Sequence, residues 1–71
     1  MNNRSNTLLN IQQLITAEQT AHILGISPGS LTVWRSTGRY DLPFVKVGSK
    51  VMYNPADVQA FIERRTRAHT D

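Results

Sequence analysis

Apolar residues recur at helical spacing in the first patterned stretch of the chain. They occur at i, i+4 and i+7 and predict one narrow apolar helix face: Ala17, Ala21 and Leu24. Thr16 and Gln19 have the spacing of a capping box, in which each side chain satisfies a free backbone N–H of the first turn, so we expect the helix to begin at Thr16. Gly25 is expected to end it, because glycine takes the left-handed C-terminal conformation at low cost.

A second helix is predicted almost immediately afterwards. Ser27 is a good N-cap, and Pro28 suits the first helical position, where no N–H is needed. Leu31 and Trp34 are three residues apart and are expected to face the core, against the alanines of the first helix. Gly38 is expected to end the helix. Two short helices joined by a three-residue turn with a glycine, residues 25–27, are typical of a helix-turn-helix.

The next apolar segment predicts a β-hairpin with a glycine turn. A three-residue loop, residues 48–50, would put four apolar residues on one face: Val45, Val47, Val51 and Tyr53. A two-residue turn, residues 48–49, would instead mix Lys50 with the valines. Because the buried face sets strand register, we favour the three-residue loop, which points Lys46, Lys50 and Met52 outward.

A third helix is predicted to begin at Asn54, followed by Pro55 at the first position and Asp57 near the positive end of the helix dipole. Its apolar positions follow helical spacing: Val58, Phe61 and Ile62. The predicted fold is mainly α with a small β-hairpin, in the order α-α-β-β-α, which is the order of a winged helix-turn-helix.

The patterned residues suggest three parts of the chain. Residues 14–65 are expected to form the folded domain, residues 1–13 a flexible N-terminal extension, and residues 66–71 a tail. The extension contains isolated apolar residues that are compatible with a short extra turn or with a strand beside the hairpin: Leu8, Leu9 and Ile11.

Length and composition favour a small binding domain. A chain of 71 residues fits one domain that buries roughly 60% of its unfolded surface, which leaves little room for a catalytic cleft. It has no cysteine for disulfides or thiolate metal sites, and no apolar run near the ~20 residues of a membrane span. The N-terminus lacks the apolar core of a signal peptide. We therefore expect a cytoplasmic protein.

Catalytic and metal-binding patterns are missing from the sequence. His22 and His69 have no partner at ligand spacing, and no serine or threonine has a His–acid pair at a suggestive spacing. We expect no enzymatic activity, no cofactor and no small-molecule substrate.

The excess positive charge lies in one central stretch. The net charge is +3, and residues 27–53 supply all of it, with four cations against Asp41: Arg35, Arg39, Lys46 and Lys50. A local basic surface is typical of nucleic-acid binding, although a solvated basic face or protection of an edge strand by the lysines would look the same. The arginines near the end of the third helix have a structural explanation in the helix dipole.

At this point the residues resemble a known family. The run LITAEQTAHILGIS at 14–27 is similar to the opening of small excisionase-type, MerR-like winged helix-turn-helix domains. The similarity continues to PADVQAF at 55–61 through single positions along the chain: Leu31, Trp34, Arg35, Gly38, Pro43, Val47, Gly48 and Tyr53.

The resemblance implies double-stranded DNA as the partner, with a recognition helix in the major groove and a wing against the backbone or minor groove. The recognition-helix positions would be Pro28, Gly29, Ser30, Thr32, Val33, Arg35 and Ser36. The loop and wing positions would be Arg39, Lys46, Ser49, Lys50 and Met52. Members occur in phages, prophages and other mobile elements as excisionases (recombination directionality factors), small transcriptional regulators or DNA-recognition parts of packaging proteins. An integrase, or further copies on adjacent DNA sites, would be the implied protein partners.

The sequence departs from the family where relatives often carry basic residues, at Gly29, Val33 and Met52. The recognition face therefore lacks the Arg or Asn side chains that make bidentate contacts to base edges. We expect weak direct readout, with DNA shape and cooperativity supplying much of the specificity. The same poor readout face leaves open a protein-interaction module on a winged-helix scaffold.

Overall fold

Three helices and three short strands make up the computed structural model, which describes residues 13–67. In chain order they are β1 (Ile15–Thr16), α1 (Ala17–Leu24), α2 (Pro28–Thr37), β2 (Val45–Val47), β3 (Lys50–Tyr53) and α3 (Pro55–Arg65). The mainly helical winged helix-turn-helix class is confirmed, with one strand more than predicted. The expectations for the N-terminal extension, the last residues of the tail and His69 fall on residues 1–12 and 68–71, outside the described residues.

The helix ends are set by the capping residues that the sequence predicts. Thr16 Oγ1 accepts a hydrogen bond from the Gln19 N–H at 3.0 Å, and Gln19 Oε1 accepts one from the Thr16 N–H at 2.9 Å, which completes the capping box. Ser27 and Asn54 cap α2 and α3 by accepting the backbone N–H of Ser30 and of Ala56, without the reciprocal bond of a capping box, and each is followed by a proline at the first helical position. Gly25, at φ 72°, ends α1 in the left-handed conformation. Each of these ends is decided locally, within about one helical turn.

The strand β1 joins the hairpin into a three-stranded antiparallel sheet of order β1-β3-β2. Ile15 lies opposite Tyr53, and Thr16 lies opposite Met52. The sequence prediction had only two strands and placed a possible extra strand before residue 14, so it missed β1. With two residues, β1 is too short to show the alternation by which strands are predicted.

The predicted hairpin register is wrong. Val47 pairs directly with Lys50, so the turn has two residues, 48–49, with Gly48 at φ 62°. Val45 and Val47 therefore share a face with Lys50 and Met52, and they are 40% and 51% exposed. The opposite face carries Val51, Tyr53 and the exposed Lys46.

The physical reason for this error lies in the position of β2. It is an edge strand, and all three of its residues are exposed, so burial of its two valines does not decide the register. The turn decides it instead: a glycine at the first turn position favours a two-residue hairpin turn whose twist matches that of the strands. The expectation that Lys46 shares an outward face with Lys50 and Met52 fails for the same reason.

The core is small and lies where α1, α2, α3 and the sheet meet. Its buried apolar residues are Ala21, Leu31, Leu42, Tyr53, Val58 and Phe61. Beside it lies an aromatic cluster, in which the Trp34 ring is 4.5 Å from the Tyr40 ring and 5.8 Å from the Phe61 ring, centroid to centroid. Trp34 is thus a packing residue, as expected: its aromatic partners are Tyr40 and Phe61, and it packs against the core cluster that contains Ala21.

We predict that Trp34→Ala lowers the free energy of unfolding by about 3 kcal/mol, the low end for such truncations because the indole is only half-buried. The total free energy of unfolding of a domain of this size is only a little larger than that. Val33→Ala, one residue away and 54% exposed, is the matched control and should change it by less than about 0.5 kcal/mol. Urea unfolding of both variants checks this, and equal midpoints would contradict the packing role of Trp34.

Candidate nucleic-acid interface

The turn between α1 and α2 fixes the orientation of the second helix relative to the first. The backbone N–H of Ile26 donates to the carbonyl of Ala21 at 3.0 Å, and that of Gly25 donates to the carbonyl of His22 at 3.2 Å. These bonds satisfy the last carbonyls of α1 and set the direction in which the chain leaves it. Leu31 then packs into the core, which turns the opposite side of α2 to solvent.

The solvent side of α2 contains most of the recognition-helix residues that the resemblance implies. Thr32, Val33 and Ser36 are exposed, together with Gly29. The hydroxyls of Thr32 and Ser36 donate to α2 carbonyls, of Pro28 and Val33, at 3.3 and 3.1 Å. The Ser36 hydroxyl therefore faces solvent as a hydrogen-bond acceptor, whereas the Thr32 hydroxyl also accepts a hydrogen bond from Arg35 at 3.4 Å. The face therefore presents one apolar side chain, two hydroxyls and bare backbone.

Arg35 joins α2 to the sheet. Its Nη1 donates to the hydroxyl of Tyr53 at 3.1 Å, and its Nη2 donates to Thr32 Oγ1 at 3.4 Å. The guanidinium also lies 5.8 Å from the centroid of the Phe44 ring. Because Tyr53 is 1% exposed, this contact anchors the arginine to the core. Arg35 thus links α2 to the wing. Two of its N–H donors are used in these bonds, but its positive charge is retained because both acceptors are uncharged.

A groove of about 390 Å³ separates the helices from the wing, which we define as residues 45–53. It is lined by Thr16, Ala17, Glu18, Pro28, Thr32, Arg35, Ser49, Lys50, Val51 and Met52. It brings together six of the predicted site residues from α2 and the wing, and adds the N-terminal turn of α1. One acidic side chain, Glu18, faces two basic ones across this groove.

Other predicted site residues lie outside the groove. Val33, Ser36 and Gly29 line the outer side of α2, and Ser30 packs its hydroxyl 3.1 Å from that of Ser27. Lys46 is exposed on the edge strand of the wing. Arg39 follows the end of α2 and lies over the Tyr40 ring, with its Cζ 5.4 Å from the ring centroid.

Sequence reasoning missed three contributors to this surface. Tyr53 was predicted as a core residue, and nothing in the sequence indicated that its hydroxyl accepts from Arg35. Arg64 and Arg65 were explained by the helix dipole alone, but the fold places them beside the loop after α2: Arg64 Nη2 donates to the carbonyl of Asp41 at 2.8 Å, and the Cζ of Arg65 lies 5.3 Å from the Tyr40 ring centroid.

Within residues 13–67, no three His, Cys, Asp or Glu side chains gather closely enough to hold a metal ion. The helices of this described part are all too short or too polar to cross a bilayer.

Comparison with known proteins gives one match. A protein-family model described as a helix-turn-helix domain matches residues 14–66, which covers the whole described fold apart from one residue at each end. No curated protein and no solved structure matches the chain.

We predict that Tyr53→Phe lowers the free energy of unfolding by about 1 kcal/mol, since it removes the acceptor of a hydrogen bond from a charged donor that can turn partly to solvent. Tyr40→Phe is the matched control, because it also removes a phenol hydroxyl but leaves the contact between α2 and the sheet intact. Thermal melts compare the two. A Tyr53→Phe variant as stable as Tyr40→Phe would show that the Arg35–Tyr53 contact does not stabilise the domain.

Proposed function

The chain belongs to the excisionase-like family of small helix-turn-helix domains, and on that premise we propose that it binds duplex DNA with α2 in the major groove and the wing against the sugar–phosphate backbone. The observation that carries the proposal is the Arg35–Tyr53 contact, which combines α2 and the wing into one surface. The role that we propose for this surface is binding.

The affinity is proposed to come mainly from phosphates. The outer side of α2 offers Val33 and two hydroxyls that donate to their own helix, which is a poor set for reading base edges. The basic side chains, in contrast, lie around it, with Lys46 and Lys50 on the wing and Arg39 after the end of α2. Contacts of this kind position a protein on DNA and carry little sequence information.

The biological role that we propose is that of an excisionase, or recombination directionality factor, or of a small transcriptional regulator in a phage or other mobile element. The DNA-recognition part of a packaging complex is a further role of the same kind. The support is the family and the weak base-reading face, which suits a protein that bends or coats DNA beside other factors. Its partners would then be an integrase or further copies on adjacent sites, in the cytoplasm of a bacterial or phage-infected cell.

A protein-interaction module is the second candidate function, and one observation favours it. One face of the wing carries the exposed Val45 and Val47 and the half-buried Met52, with Lys50 as its one basic side chain. Exposed apolar side chains grouped on one face are typical of protein contacts.

We predict that the logarithm of the binding constant for a short mixed-sequence duplex falls with the logarithm of salt concentration at a slope of about −3 or steeper, as expected when at least three phosphates are neutralised. Lys50→Gln should reduce the magnitude of the slope by about 0.9 and weaken binding to all duplexes alike. Lys50→Arg keeps the charge and should retain the wild-type slope.

Fluorescence anisotropy titrations at several salt concentrations measure these slopes. A wild-type slope near zero, or no binding at low salt, would contradict the DNA-binding proposal and favour the protein-interaction module.

We also predict that Val33 contacts thymine methyl groups, because it is the one large apolar side chain among the α2 positions that face solvent. In selection from a randomised duplex pool, Val33→Ala should weaken the preference for A·T pairs at one or two positions. Val47→Ala, a similarly exposed valine on the wing, is the control and should leave the preference unchanged. Identical preferences for wild type and Val33→Ala would exclude Val33 as a base-reading residue.

A further inference from the structure

Arginine side chains from two separate parts of the chain meet on one aromatic ring. The guanidinium of Arg39, from the loop after α2, lies 5.4 Å from the centroid of the Tyr40 ring, and that of Arg65, from the end of α3, lies 5.3 Å from it. Arg65 also lies 3.8 Å from the Phe61 ring centroid. Arg64 is fixed beside them by its bond to the Asp41 carbonyl. We call Arg39, Arg64 and Arg65 the arginine patch.

The charge of the patch is only partly balanced. Two acidic residues belong to the same segments, Asp41 and Glu63, and Glu63 Oε2 already accepts a hydrogen bond from Gln59 Nε2 at 3.1 Å. Helix dipoles favour cations at the ends of α2 and α3, but a lysine would satisfy a dipole equally well. Stacking on an aromatic ring suits the flat guanidinium and leaves the N–H donors at its edge accessible. Arg65 Nη1 donates to the carbonyl of Phe61 at 3.5 Å, and Arg64 Nη2 donates to that of Asp41, so the remaining N–H groups of each guanidinium are the ones that can bind an anion.

The patch lies on the flank of α2 opposite to the wing. Thr32 lines the groove beside the wing, whereas Trp34 contacts Tyr40, the ring under the patch. At about 100° per residue, these two α2 residues lie roughly 160° apart around the helix axis. The solvent side of α2 therefore has cations on both flanks, Lys50 on one and the arginine patch on the other.

Cations on both flanks of one helix are what a helix in the major groove can use. The groove is about 12 Å wide and is bordered by one phosphate backbone on each side, so a helix that enters it meets both. We propose that the arginine patch is a second phosphate-binding site, which contacts the DNA backbone on the side of the major groove opposite to the wing. This inference rests on the proposed DNA-binding function and adds residues of α3 to the interface.

Preorganisation is the physical advantage of the patch. Arginine side chains lose considerable rotamer freedom when they bind, and stacking on Tyr40 and Phe61 removes part of that freedom before DNA arrives. A freely moving cation at the same position would bind phosphate more weakly. The charge and the stacked geometry should therefore both matter.

The test is a set of salt titrations of the full chain on a short mixed-sequence duplex. Arg39→Gln and Arg65→Gln should each reduce the magnitude of the salt slope by about 0.9. Arg67→Gln removes the same charge just beyond the end of α3 and is the matched control, with the wild-type slope expected. Arg39→Lys should keep the slope but lower the affinity, because its charge remains without the stacked fork.

Thermal melts separate binding from folding, because Arg65 covers part of Phe61 and its replacement can lower stability. The titrations are run well below the melting temperature of each variant. If wild type binds with a steep slope and Lys50→Gln reduces it, but Arg39→Gln and Arg65→Gln do not, the patch is not a phosphate site, although the proposed function stands. If Arg65→Gln and Arg67→Gln reduce the salt slope equally, the effect comes from the net charge of the protein and not from the patch, and this result would also overturn the inference. No salt-dependent binding by wild type would instead refute the proposed function itself.

Discussion

The hydroxyl of Tyr53 accepts a hydrogen bond from Arg35 while the ring of the same residue lies in the core. Tyr53 also pairs with Ile15 across the sheet, so one residue connects β1, the wing and α2. In a domain with so few buried apolar residues, two projecting elements cannot each have a core of their own. Their relative position depends on this contact and on the short sheet around it, and the width of the groove between α2 and the wing depends on that position.

Sequence features whose partners lie within one or two helical turns predicted the structure well. The capping box at Thr16, the left-handed glycines at 25 and 38, and the Asn-Pro start of α3 all lie where expected, because each is decided by neighbouring residues. The register of the hairpin was not predictable in that way. Val45 and Val47 have the pattern of a buried strand face, but they lie on an edge strand, and within residues 13–67 they remain 40% and 51% exposed. Hydrophobic alternation indicates burial only where a partner layer exists.

The candidate site was predicted in part for a related reason. Charge counted along the chain found the basic stretch of residues 27–53 but assigned Arg64 and Arg65 to a neutral segment. Folding brings the end of α3 against the loop after α2, so these arginines lie next to Arg39 around Tyr40. Conversely, Arg35 belongs to the basic stretch, yet its guanidinium is held by Tyr53 and Thr32. Tertiary contacts therefore decide which cations lie together and which of their N–H donors a ligand can reach, and a count of charges along the sequence does not show this.

These placements bear on how such a domain would distinguish one DNA site from another. The solvent side of α2 carries Val33, two hydroxyls and Gly29, which has no side chain. Val33 can contact a thymine methyl group, and Gly29 allows the backbone to approach the DNA closely. These groups form few hydrogen bonds with the donors and acceptors that distinguish one base pair from another. Phosphate contacts on two flanks of α2, held at a fixed separation by the core, would respond to groove width and to the cost of deforming the duplex. The domain would then prefer DNA sequences whose phosphates reach both flanks of α2 without deformation of the duplex. A rigid connection between α2 and the wing is what makes that kind of discrimination possible, since a flexible one would adapt to any duplex and select none.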